Sequence, residues 1–152
     1  MYLNSPEELR ETLTYHDEEH DQFWFGEGQI FELFFVAADE GPSAAQLSYY
    51  LNFQNNSVAF MDRVREKVID AWEREKGKAP ARFYEELPIV DIITINPEGS
   101  NSDMDMVLSF RTFKFLFYSR WTTYVARFKG DRLTLLQTAR SFDAEENTAS
   151  GY

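Results

Sequence analysis

Apolar positions recur along the chain with two periods, and the periods divide it into elements. Leu9 and Leu13 stand one helical turn apart behind Ser5-Pro6-Glu7-Glu8. Ser5 suits an N-cap, Pro6 the first helical position, and Glu8 completes a capping box, so the pattern predicts a short helix from Pro6 to Leu13. Phe23-Trp24-Phe25-Gly26 and Gln29 to Ala37 read as two strands joined by a hairpin turn at Gly26-Glu27-Gly28. From Leu33 to Ala38 the second run is almost wholly apolar, which predicts a central strand covered on both faces. Ser43 can cap a helix reaching to about Gln54, with Leu47, Tyr50 and Leu51 on one stripe. Val58, Met61, Val64, Val68, Ala71 and Trp72 then mark a second helix from Ser57 to Lys76, ended by Gly77 with Pro80 beyond it.

The remaining chain is rich in strand signals. Arg82 to Glu86 suits one helical turn. Ile89 to Ile95 is a β run that ends in the loop-forming stretch Asn96 to Asn101. Met104 to Arg111 is too densely apolar to separate strand from short helix. Phe113 to Tyr118, Trp121 to Phe128 and Leu133 to Thr138 read as a meander, the last two joined by a tight turn at Lys129-Gly130-Asp131. Helices and strands are thus segregated. The expected fold is α+β: one domain over residues 1–142, an antiparallel, meander-like sheet, two consecutive helices packed on one face, and a short N-terminal helix. Residues 143–152 are polar, small and acidic, and are expected to form a flexible tail.

A chain of 152 residues fits one domain. It contains no cysteine, so thiol catalysis, Cys-based zinc sites, iron–sulfur clusters and disulfides are excluded. No apolar run approaches the ~20 residues a membrane-spanning helix needs. The first residues have neither the basic start nor the apolar core of a secretory signal, so a cytoplasmic location is expected. Charge changes the picture more. The formal net charge is −11, and residues 1–40 hold eleven acids against a single base, Arg10. Such a field repels nucleic acid and anionic lipid and attracts a basic partner. The bland explanation is an acidic surface that keeps the protein soluble.

Both histidines lie in His16-Asp17-Glu18-Glu19-His20, which has the form H-x-x-E-H. On a helix, His16 and His20 would share a face with Glu19 beside them, the geometry of a zinc-bound hydrolytic water. The stretch has no apolar periodicity and is acidic enough to hold the pattern by chance, so a solvated loop is the simpler reading and no metal or cofactor is expected. No G-x-S-x-G, S-x-x-K, P-loop or G-x-G-x-x-G motif occurs. Residues 110–132 interleave aromatics with Arg111, Lys114, Arg120, Arg127, Lys129 and Arg132. Such strands can stack single-stranded bases, but the overall field opposes nucleic acid. The basic face can instead offset the acidic N-terminal region, within one chain or across a dimer.

Phe23-Trp24-Phe25-Gly26, a β run, Pro42-Ser43 with Gln46, Asn55-Asn56 opening a long helix, Leu87-Pro88, and an aromatic strand into Trp121 follow in order over about residues 22–138. This arrangement resembles a bacterial family of small uncharacterised α+β proteins, often encoded among the immunity genes of polymorphic toxin systems. That family carries an acidic-His-Gly stretch after its Trp. Here Thr122-Thr123-Tyr124 follows Trp121, so no site formed by that stretch carries over. The resemblance implies a neutralising binding protein.

Charge and resemblance together lead to one expectation: a non-enzymatic, cytosolic immunity or antitoxin-like protein that occludes a basic, nuclease-like toxin domain. Its contact residues would be Asp17, Glu18, Glu19, Asp21, Glu27, Asp39 and Glu40, with Asp103 and Asp105 as a second acidic site. Trp24 would be either an interface anchor or part of the core. The alternatives are a small zinc hydrolase built on His16, Glu19 and His20, and a scaffold or small-ligand domain with an apolar pocket. The oligomeric state is open.

Overall fold

A computed structural model describes residues 5–19, 21–27, 30–78, 88–115 and 118–138. Its elements are α1 (Pro6–Glu11), β1 (Thr14–Glu18), β2 (Asp21–Glu27), β3 (Glu32–Val36), α2 (Ala44–Asn55), α3 (Ser57–Lys76), β4 (Ile89–Ile95), β5 (Met104–Phe115), β6 (Tyr118–Lys129) and β7 (Arg132–Thr138). The seven strands form one sheet whose order follows the chain. The fold is α+β and the sheet is mostly antiparallel. It departs from a pure meander at one place, because β3 and β4 run parallel. The cause is the intervening helix pair: parallel neighbours need a long crossover, which α2 and α3 supply.

The helix signals act as the residues dictate. Ser5 Oγ accepts from Glu8 N at 3.2 Å and opens α1, which stops at Glu11. Leu9 and Leu13 are both buried. A Cβ added to Gly26 would stand 2.7 Å from Leu13 Cδ2, so this glycine is what lets Leu13 lie against β2. Ser43 and Gln46 form a reciprocal capping box at the start of α2. Gln46 also donates from Nε2 to the carbonyls of Val36 (3.0 Å) and Ile95 (3.4 Å). One buried amide thereby ties the helix start to the ends of both parallel strands. Asn56 closes α2 and opens α3, and Gly77, at φ 85°, ends α3 in a conformation that L side chains disfavour.

Strand alternation sorts the sheet residues into two sets. One cross-strand row runs Tyr15, Trp24, Phe35, Ile95, Met104, Phe128, and a second runs Leu33, Ile93, Met106, Ala126, Leu136. From Phe35 and Leu33 onward these positions are buried, apart from the partly buried Leu136 at β7. They meet the helices: Phe35 packs on Tyr50 of α2 at 6.0 Å between ring centres, and Phe128 on Phe60 of α3 at 5.1 Å. The other set includes His16, Phe23, Phe25, Phe34, Ile92, Val107 and Val125, all only partly buried. The expectation that Leu33 to Ala38 is covered on both faces therefore fails. Leu33 and Phe35 are buried, but Val36 is 37% exposed.

Two further expectations are corrected, and one reading left open is settled. Residues 14–18 form a strand, not a loop. Met104 to Arg111 is strand throughout. The run Phe113 to Tyr118 is not one strand but is divided between β5 and β6, with Phe115 paired to Tyr118. The expected turn at Arg82 to Glu86 and the tail 143–152 lie outside the described residues.

Candidate functional site: the acidic end of the sheet

Strand directions bring four connections to one end of the sheet. These are the β1–β2 turn, the turn after β3, the loop after β4, and the β6–β7 turn, where Gly130 takes φ 61° between Lys129 and Arg132. Glu18 pairs with Asp21, and Glu19, which follows β1, has φ 45°. Asp17, Glu18, Glu19 and Asp21 are exposed, as are Asp39 and Glu40 in the turn after β3. Among the described residues none of these six carboxylates takes part in an ion pair. Arg10, the base closest to them in the chain, donates from Nη2 to the backbone carbonyl of Glu40 at 2.7 Å. A Cβ on Gly41 would stand 2.7 Å from that guanidinium nitrogen, so the glycine makes room for the contact.

Tyr15 links the two acidic segments. Partial burial, then the charges of Asp17 and Asp39, hold its phenol above its ordinary pKa, while a hydrogen bond with Gln22 opposes the shift. Between the segments lies an open depression of about 420 Å³, lined by Asp17, Glu19, Gln22, Val36, Ala37, Ala38 and Pro97. It has an acidic rim and an apolar floor, which suits the aliphatic stem and charged head of Lys or Arg. Gln22, Ala38 and Pro97 carry no sequence signal for this role. They come together only through strand register and the parallel β3–β4 pair.

The other expected site residues divide. Trp24 is a packing residue: its indole Nε1 donates to the Ala38 carbonyl at 2.8 Å and its ring lies 5.4 Å from that of Tyr15. It fixes the floor of the depression from beneath. Glu27 pairs with Glu32 at the opposite end of β2, away from the other acids. Asp103 and Asp105 share the acidic end, but their carboxylates are engaged. Asp105 accepts from Ser102 Oγ (2.8 Å) and Asn96 Nδ2 (3.2 Å) and pairs with Arg127 at 3.5 Å. Asp103 accepts from Gly130 N (2.7 Å) and pairs with Lys129 at 3.2 Å. Asp131 pairs with Arg63 at 3.4 Å. Tyr49 donates to the Gly130 carbonyl, and burial followed by the charges of Asp103 and Asp131 raises its pKa.

The H-x-x-E-H stretch does not take the helical form that the zinc reading needs. His16 lies on β1, stacked on Phe23 at 5.3 Å, and Glu19 sits in the turn. His20 lies outside the described residues. Among the described residues no group of three His, Asp or Glu is placed to hold a metal ion, and no helix is long and apolar enough to cross a membrane. No family model matches the chain, and neither the curated proteins nor the solved structures contain a match.

Proposed function

We propose that this chain is a non-enzymatic, cytoplasmic binding protein of the immunity or antitoxin type, and that its acidic sheet end occludes a basic, nuclease-like toxin domain. The observation that carries the reading is a set of six exposed carboxylates from two separate segments at one end of the sheet, in no ion pair among the described residues, two of which, Asp17 and Glu19, line the depression. Carboxylates so placed substitute for the phosphates that an anion-binding cleft recognises. Their field speeds the encounter with a basic surface. The apolar floor, backed by Trp24, gives an arriving Lys or Arg stem something to pack on. The reading assigns no catalytic residue and no cofactor.

Co-expression tests it. The C-terminal domain of the neighbouring upstream gene product is expressed in a heterologous bacterium, with and without this chain. Growth arrest relieved by the chain supports the reading, and Glu18→Lys/Glu19→Lys/Asp21→Lys should weaken the relief. The same triple variant should lower the association rate at low salt by about tenfold, with the difference shrinking as salt rises. Arrest that the chain does not relieve, or association indifferent to the triple reversal, contradicts the proposal.

A further inference from the structure

The two edges of the sheet differ. β1 carries Asp17 and Glu18, which blunt it against a further strand. β7, at the other edge, has no acid and no proline, and its one charged residue is Arg132. Among the described residues no strand lies beyond it. Its outer backbone groups therefore form a template for strand addition.

Helix α3 turns that edge into a groove. Lys67, Ala71 and Arg74 recur at i, i+4 and i+7 along one stripe of α3. With Leu133–Leu136 of β7 they line an open space of about 260 Å³. Leu136 pairs with the buried Ala126 and Leu135 with the exposed Arg127, so these two leucines lie on opposite faces of the sheet. A space lined by both runs along the edge of the strand, not over one face. Lys67 and Arg74 are exposed and, among the described residues, take part in no ion pair. Asp70 and Glu73 meet the same two bases in a neighbouring depression but do not line the groove.

We infer that this groove takes an acidic, extended segment of a partner protein, which adds to β7 as a further strand. The edge supplies main-chain hydrogen bonds, and the groove takes alternate side chains. Residues on one side of a strand recur about every 7 Å. Lys67 and Arg74 stand about 10.5 Å apart along the helix axis, so two long, flexible bases reach carboxylates at that spacing. Charge rejects the β7 of a second copy, because a twofold axis would set Lys67, Arg74 and Arg132 against their own counterparts. The strand edge selects a peptide over nucleic acid, whose backbone has no N–H to pair with it. The acidic corner does not repel such a segment effectively. It lies across six strand spacings of about 4.8 Å, or about 29 Å, and the screening length at physiological salt is about 8 Å. The groove leaves that corner free, and the inference does not depend on the proposed toxin-binding role.

Fluorescence anisotropy on the full chain tests it. The probe is a labelled heptapeptide that alternates glutamate and valine. Saturable binding is expected, with a dissociation constant that rises with salt. A heptapeptide alternating lysine and valine should not bind. The glutamate peptide methylated at every backbone nitrogen keeps its charge but loses its donors, and should bind at least tenfold more weakly. Lys67→Glu/Arg74→Glu should raise the constant by about tenfold or more, and the milder Lys67→Ala/Arg74→Ala by less. Circular dichroism and thermal melting check that both variants stay folded. No binding of the glutamate peptide overturns the inference, as does binding indifferent to both variants. Equal binding of the methylated peptide reduces the groove to a charge contact and also overturns it. So does tighter binding of oligothymidylate at the same two bases, or self-association of the chain that the reversal abolishes.

Discussion

Asp105 and Glu18 lie at the same end of one sheet, and their carboxylates have opposite surroundings. Asp105 sits on β5, a central strand. Its cross-strand partner on β6 is Arg127, and the loop before it supplies Ser102, while Asn96 comes from the end of β4. Glu18 sits on β1, at the sheet edge. Its one neighbour, β2, offers Asp21 at the matching position, another acid. A central strand has a cross-strand partner on each side, and here one of the two, Arg127, compensates the charge while the other, Thr94, is neutral. At an edge there is one neighbour at most, and here that neighbour adds to the field. The edge acids also discourage a further strand from pairing onto β1. Acidic residues close together in sequence and in space can thus be structural in one place and a projecting field in another.

The largest effect expected from this contrast is at Asp105. Asp105→Ala removes the acceptor of Ser102 Oγ and Asn96 Nδ2 and the partner of Arg127, with Ser102 itself 7% exposed. A loss of about 2 kcal/mol is expected from stranding these donors, measured by urea denaturation. A loss below about 0.5 kcal/mol would erase the distinction between the two acid groups. Trp24→Phe comes next. It strands the Ala38 carbonyl and should cost about 1 kcal/mol of stability. Binding should change no more than that cost explains. A fall in partner affinity with unchanged stability would move Trp24 from the floor of the depression into the contact itself.

Much of this was legible from residue order. The spacing from Val58 to Trp72, closed by Gly77, marks α3 at its observed bounds, and Ile89–Ile95 is visible as an unbroken β run. Ser43 announces α2 because its cap is local. What stayed hidden depends on non-local pairing. β1 holds Tyr15 as its one large apolar residue, and the sequence between Glu18 and Asp21 lacks the Gly or Asn that usually marks a hairpin. Nothing in Leu33–Ala38 tells a strand that one of its faces is left uncovered. The parallel β3–β4 pair follows from where the crossover returns. Among the candidate residues, Asp17 to Asp21, Asp39 and Glu40 stand together as the charge pattern suggested. Asp103 and Asp105 looked equally free because Lys129 and Arg127 lie more than twenty residues downstream and meet them only through the β5–β6 register.

The smallest expected effect decides most about the comparison. Six exposed acids around one corner repel each other, and among the described residues no base offsets them by an ion pair. Glu18→Lys/Glu19→Lys/Asp21→Lys should therefore leave stability unchanged or raise it by a few tenths of a kcal/mol, since surface substitutions stay within about 0.5 kcal/mol when no contact is lost. Salt supplies the internal check. Added salt screens the repulsion, so it should raise the melting temperature of the native chain more than that of the reversed one. For the Asp105 cluster the same addition should do little, because partly buried pairs are screened less. If the triple variant instead lost stability on the scale of Asp105→Ala, the hairpin acids would be holding the fold as Asp105 does. The field at the corner would then be a by-product of structure, and the case for it as a docking surface would lose its main support.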